Sequence, residues 1–108
     1  MIDTSWSSAG SIASAVTRGE LTATQVIAGT LAHIARRDAV LNAFTTVTAE
    51  RALARAAANP AGPLAGVPFA VKNLIDIAGL PTLAGSKINR EHPPAAADAT
   101  LVTRFQPN

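Results

Sequence analysis

Apolar residues recur at helical spacing over residues 9–18, where Ala9, Ile12, Ala13 and Val16 fall on one face. Gly19 follows as a C-terminal stop, so the pattern predicts a short first helix. Thr22 and Gln25 then have the spacing of a capping box, with the threonine hydroxyl and glutamine amide each satisfying a free helix-end amide. The second helix is expected from Ala23 to about Arg37, burying Ala23, Ile27, Leu31 and Ile34. Arg36 and Arg37 could hold an anion, but the negative end of the helix dipole accounts for them without one.

Beyond that helix the period changes. Leu41 to Val47 (LNAFTTV) is rich in β-formers and reads as a first strand. Thr48 is placed to cap a third helix from Ala49 to Ala58, with Ala52, Leu53 and Ala56 inward and Arg51 and Arg55 a mildly unfavourable like-charge pair. Asn59-Pro60-Ala61-Gly62-Pro63 ends it and connects to Val67-Pro68-Phe69-Ala70-Val71, an apolar run that reads as a buried strand closing on Lys72. Gly79, Pro81 and Gly85 shape a long loop, beneath which Leu74, Ile75 and Ile77 are expected to pack, with Asp76 in a turn. Asp98 and Thr100 are start signals for a last helix carrying Leu101, Val102 and Phe105. Helices alternating with two strands make this an α/β pattern.

Composition narrows the chemistry. The 108 residues carry a net charge of +2, and the arginines are scattered, which argues against a nucleic-acid surface. There is no cysteine, so disulfides and thiolate catalysis are excluded, and His33 and His92 are too isolated to suggest a metal site. The N-terminus lacks the basic start and apolar core of a signal peptide, and no apolar run approaches membrane-spanning length, so a soluble cytoplasmic protein is expected. No internal repeat interrupts the alanine bias.

Lys72 is the residue that asks for a chemical explanation. At the mouth of an apolar strand, desolvation penalises the ammonium form and yields a neutral amine, which can serve as a general base to a neighbouring hydroxyl. A structural alternative stands beside it, in which the lysine buries its stem and extends its charge to water. Ser86 is the sole serine after Lys72, and its Ala-Gly-Ser setting lacks the second glycine of a nucleophile elbow.

The block Gly66-Val67-Pro68-Phe69-Ala70-Val71-Lys72-Asn73, with Asp76, Gly79-Leu80-Pro81-Thr82 and Ala84-Gly85-Ser86, resembles the first block of the amidase signature family. Leu83 to Asn89 and the Lys72-Asn73 pair most resemble the carboxybiuret hydrolase-type amidases of cyanuric acid degradation. The resemblance runs from about Ile12 to Thr103 and is most specific at Lys72.

It implies the N-terminal portion of the amidase signature fold, helices packed on a mixed sheet, with residues 1–108 an incomplete piece of a single domain. It also implies amide C–N hydrolysis by a Ser-Ser-Lys constellation, in which Lys72 is the base and no metal or cofactor takes part. Both serines belong to a Gly/Ser-rich segment of the family pattern, and no Gly-Gly-Ser-Ser-type run occurs here, so the chain is expected to be truncated before it and inactive alone. The implied partners are a small carboxybiuret-like amide and, in the full-length enzyme, further copies of itself together with a small accessory subunit, without membrane or nucleic acid. Two other readings share these residues: a fragment of an aminoacyl-tRNA amidotransferase A subunit, and a non-catalytic remnant or interaction module. Asn73 departs from the family's more usual aspartate and removes a counter-charge beside Lys72.

Overall fold

The computed structural model describes residues 2–106. The chain divides into two units, Met1–Pro68 and Phe69–Asn108. The first contains α1 (Ala9–Thr17), α2 (Ala23–Leu41) and α3 (Ala49–Ala57); the second contains a 3-10 turn at Lys87–Asn89 and α4 (Thr100–Phe105).

The helix boundaries follow local chemistry. Ser8 caps α1 by accepting the Ser11 N–H. At the other end the Gly19 N–H donates to Val16 O (3.1 Å) and the Glu20 N–H to Ala15 O (2.9 Å), with Gly19 left-handed at φ 77. This is the paired closure of a Schellman motif, which glycine permits without a Cβ penalty. The expected capping box starts α2: the Gln25 N–H donates to Thr22 Oγ1 at 3.0 Å and the Thr22 N–H to Gln25 Oε1 at 2.9 Å. Thr48 precedes α3 as expected, but its side chain makes no capping bond.

Helix α2 runs to Leu41, four residues past the expected end at Arg37, so Arg36 and Arg37 lie before the last turn and do not balance its dipole. The chain then breaks at Asn42, left-handed at φ 50, and the Ala43 and Phe44 N–H groups donate to Asp38 Oδ1 at 2.6 and 3.3 Å. Amides that a strand would offer a neighbour are spent locally. The expected strand over residues 41–47 is therefore replaced by a helix end and an irregular segment.

The second expected strand, 67–71, is likewise irregular, and Phe69 and Ala70 are exposed, not buried. No strand occurs among the described residues, so the mixed sheet expected of the fold is not found in this chain. A strand exists by virtue of its ladder partners; here the Val67 N–H turns back to Leu64 O at 3.1 Å instead.

In the first unit α2 packs on α3, and the buried side chains are Ile12, Ala13, Ala23, Val26, Ala56 and Ala65. The buried line on α2 runs through Ala23, Val26 and Gly29, rotated from the expected one: Ile27, Leu31 and Ile34 are half-buried. Leu53 on α3 is exposed. In the second unit Val102 is buried and Phe105 stacks on Phe69 with ring centroids 5.3 Å apart. No helix among the described residues is long and apolar enough to cross a membrane.

Candidate functional site

Lys72 stands where the irregular 67–71 segment enters a turn, its carbonyl accepting the Ile75 N–H at 3.1 Å. Its side chain is exposed in this chain, so the burial that would favour a neutral amine is not supplied by these residues.

The loop beyond it is built in detail. Asn73, half-buried, accepts the Leu83 N–H on Oδ1 at 3.1 Å and the Ala84 N–H on its main-chain oxygen at 2.9 Å. The Thr82 hydroxyl donates to Asp76 Oδ1, so that aspartate's side chain braces the loop across six residues. The Gly79 N–H donates to Ala95 O and the Ala95 N–H to Leu80 O, both at 2.9 Å, while the Ala99 N–H reaches Asp76 O at 2.9 Å. Asp98 does not cap α4; its Oδ1 accepts the Ala78 N–H at 2.8 Å and ties the loop to the start of that helix. Leu74 is exposed, contrary to the packing expected beneath the loop, whereas Ile75 and Ile77 are half-buried.

Ser86 starts the 3-10 turn with its N–H on Leu83 O at 2.9 Å. Asn89 Nδ2 donates to the same carbonyl at 2.8 Å. Sequence reading identified Lys72, Asn73, Asp76 and Ser86 but gave no role to Asn89, because its partner lies six residues back and follows no periodic signal.

A separate feature lies within the first unit. A cleft of about 340 Å³ is lined by Asp3, Ser5, Gly29, Thr30 and His33 among others. The Ser5 hydroxyl bonds Asp3 Oδ1 and stands 3.2 Å from His33 Nδ1, and the Ser5 N–H donates to Asp3 Oδ1 at 2.9 Å. Hydrogen bonds from the Ser5 hydroxyl and amide, with His33 and Arg36 nearby, hold the Asp3 carboxyl below its ordinary range. The serine sits between aspartate and histidine, so the imidazole is not oriented by the carboxylate as nucleophilic catalysis requires. The Ser5–His33 contact joins the N-terminal segment to α2.

Comparison with known proteins bears on the whole chain. Residues 25–108 match the family model described as Amidase. The chain is 50% identical over 99 residues to the AtzE component of 1-carboxybiuret hydrolase from Pseudomonas sp. (strain ADP), covering 84% of this chain and 22% of that relative. It is 41% identical over 114 residues to the glutamyl-tRNA(Gln) amidotransferase A subunit of Salinispora tropica, covering 98% of this chain and 23% of the relative. A solved structure described as an unexpected vestigial protein complex revealing the evolutionary origins of an s-triazine catabolic enzyme superposes with a TM-score of 0.85 at 48% identity, covering 89% of this chain and 23% of that one. The chain thus spans about a fifth of the length of the relatives it matches.

Proposed function

Because the chain belongs to the amidase family, we propose that it is the lysine-bearing N-terminal portion of one amidase domain and that Lys72 is the base of a Ser-Ser-Lys amide hydrolysis. The supporting observation is the Gly66–Asn73 block with Lys72 at the opening of a hydrogen-bonded loop, in a chain half identical to a carboxybiuret hydrolase component. In this reading a serine outside these 108 residues attacks the amide carbonyl, a second serine relays its proton, and the Lys72 amine accepts it. The substrate is a small carboxylated urea-type amide, hydrolysed in the cytoplasm. The full-length enzyme carries a small accessory subunit, in line with the complex named for the similar solved structure.

The identity to amidotransferase A subunits favours a second reading, in which the same lysine serves amide hydrolysis that supplies a tRNA-linked transfer. Turnover of carboxybiuret against glutamine separates the two.

The test joins this chain to the downstream portion of the carboxybiuret hydrolase relative. Lys72→Ala and Lys72→Arg both abolish turnover there if Lys72 is the base, since arginine keeps the charge but does not release its proton. Near-normal turnover of the arginine variant, with an unchanged melting curve, would return Lys72 to a structural role.

A further inference from the structure

The loop after Lys72 closes on one residue, Leu83. Its N–H donates to Asn73 Oδ1 at 3.1 Å, and its carbonyl accepts from Asn89 Nδ2 at 2.8 Å and from the Ser86 N–H at 2.9 Å. A side-chain amide carries one acceptor and one donor group, and the two asparagines face Leu83 with opposite ends: Asn73 accepts and Asn89 donates. Asn73 also takes the Ala84 N–H on its main-chain oxygen.

The backbone held in this way is not relaxed. Ala84 has φ 48 and Gly85 φ 73, and a left-handed alanine persists only where its surroundings over-determine it. No helix or strand spans residues 73–86; the bonds to Ala95, Asp98 and Ala99 tie down residues 76–80, and the bonds at Leu83, with Thr82 on Asp76, bear on the 82–86 part of the loop. Asn73 directly follows Lys72, which puts one end of the clasp on the peptide unit that carries the lysine.

We propose that Asn73 and Asn89 are positioning residues whose opposed hydrogen bonds at Leu83 hold the 82–86 loop to the Lys72 peptide, fixing where a substrate amide meets the Lys72 amine. This rests on the reading of Lys72 as the base. It gives the Asn73 departure a physical meaning. Aspartate at 73 keeps the acceptor for Leu83 while adding a negative charge beside Lys72. Aspartate at 89 has no donor at neutral pH and sets a carboxylate against a carbonyl. The same substitution therefore preserves the clasp at one end and breaks it at the other.

Hydrogen exchange of the 108-residue chain, followed by mass spectrometry at low protein concentration, reads this directly. Asn73→Asp keeps the exchange of the Leu83 and Ser86 amides within about twofold of the parent, whereas Asn73→Leu and Asn89→Asp each speed it about tenfold, the loss of roughly one hydrogen bond's protection. Exchange in α2 is the control and stays unchanged in all variants. Native-like protection in Asn89→Asp, or equal loss in Asn73→Asp and Asn73→Leu, would overturn the assignment. So would loss spreading into α2, which would make the asparagines general fold elements.

In the joined enzyme, Asn89→Asp lowers kcat about tenfold to a hundredfold, with KM within about twofold, as expected for a displaced reacting group. An unaltered kcat in Asn89→Asp despite a loosened loop would overturn the positioning role. The two ideas fail separately: an active Lys72→Arg enzyme with the predicted exchange pattern removes the base and leaves the clasp. An inactive Lys72→Arg enzyme with native exchange in Asn89→Asp does the reverse.

Discussion

Gly66 lies so close to Val16 that a Cβ at position 66 would stand 2.9 Å from Val16 Cγ2, and 3.3 Å from the Ala23 Cβ. One backbone position thus meets both α1 and α2, and it does so with a left-handed φ of 74. Glycine answers both demands, since it has no side chain to clash and no penalty for that conformation.

Gly66→Ala is therefore expected to destabilise the first unit by about 1–3 kcal/mol, combining backbone strain with displacement of Val16. Urea unfolding followed by helical circular dichroism checks it. A midpoint equal to that of the parent would show that the segment carrying Gly66 is free to move off the helices.

Gly29 poses a different contest. Alanine would favour α2 by about 1 kcal/mol through helix propensity, yet its Cβ would lie 2.1 Å from the Ile2 carbonyl oxygen. The backbone clash wins locally, so Gly29→Ala should release the N-terminal segment while α2 keeps its helicity. Faster proteolysis ahead of α1 with an unchanged helical spectrum is the expected outcome. At Gly10 nothing lies within 4 Å of an added Cβ, and Gly10→Ala should stabilise α1 by about 0.5 kcal/mol.

Thr22→Ala removes one half of the reciprocal cap on α2 and should cost about 1 kcal/mol. Thr22→Ser retains the acceptor and should recover most of that loss in the same urea titration. Equal losses in the two variants would show that packing of the threonine methyl, not its hydroxyl, starts the helix.

The Asp3 carboxyl is held below its ordinary value by the Ser5 hydroxyl and amide. A carboxyl depressed in the folded state contributes stability that is present above its unfolded pKa, near 3.9, and is lost as pH falls through the lower folded value. The local Asp3–Ser5 turn at the start of the chain is thus expected to hold at neutral pH and weaken below about pH 4. Ser5→Ala should move that loss toward higher pH. Proteolysis at that turn across an acid titration reads both, and identical profiles would discount the Ser5 bonds.

The purified chain should self-associate and hydrolyse no simple amide. Trp6 is 99% exposed, Val40 84% and Ile88 81%, in addition to exposed Leu41, Leu74 and Phe69, and apolar surface of this kind promotes association. In the proposed reading the attacking serine belongs to a Gly-Gly-Ser-Ser-type run, which these 108 residues do not contain. A monodisperse monomer at high concentration would argue against the first expectation, and measurable turnover against the second.

What the amino-acid sequence determined by itself lies within a few residues of each signal. The Thr22–Gln25 box, the Gly19 closure of α1 and the stop after α3 at Asn59, left-handed at φ 54, are each made by groups no more than five residues apart. Such contacts form wherever those side chains follow one another, so reading them requires no tertiary information. The Lys72 block was legible for another reason: its residue order matches a family, which marks a candidate base without showing its surroundings. The tertiary structure decided everything that needed a distant partner. The expected strands meet no ladder partner among the described residues, and their amides turn instead to the nearby Asp38 and Leu64. The tertiary structure chose Val26 over Ile27 for the buried face of α2 and brought Ser5 to His33 across 28 positions. It also gathered Asn73 and Asn89 on Leu83, where two identical side chains do opposite work. Periodicity carries the direction of a helix face, but which hydrogen-bonding end an asparagine presents, and to whom, is set only when the chain folds back on itself.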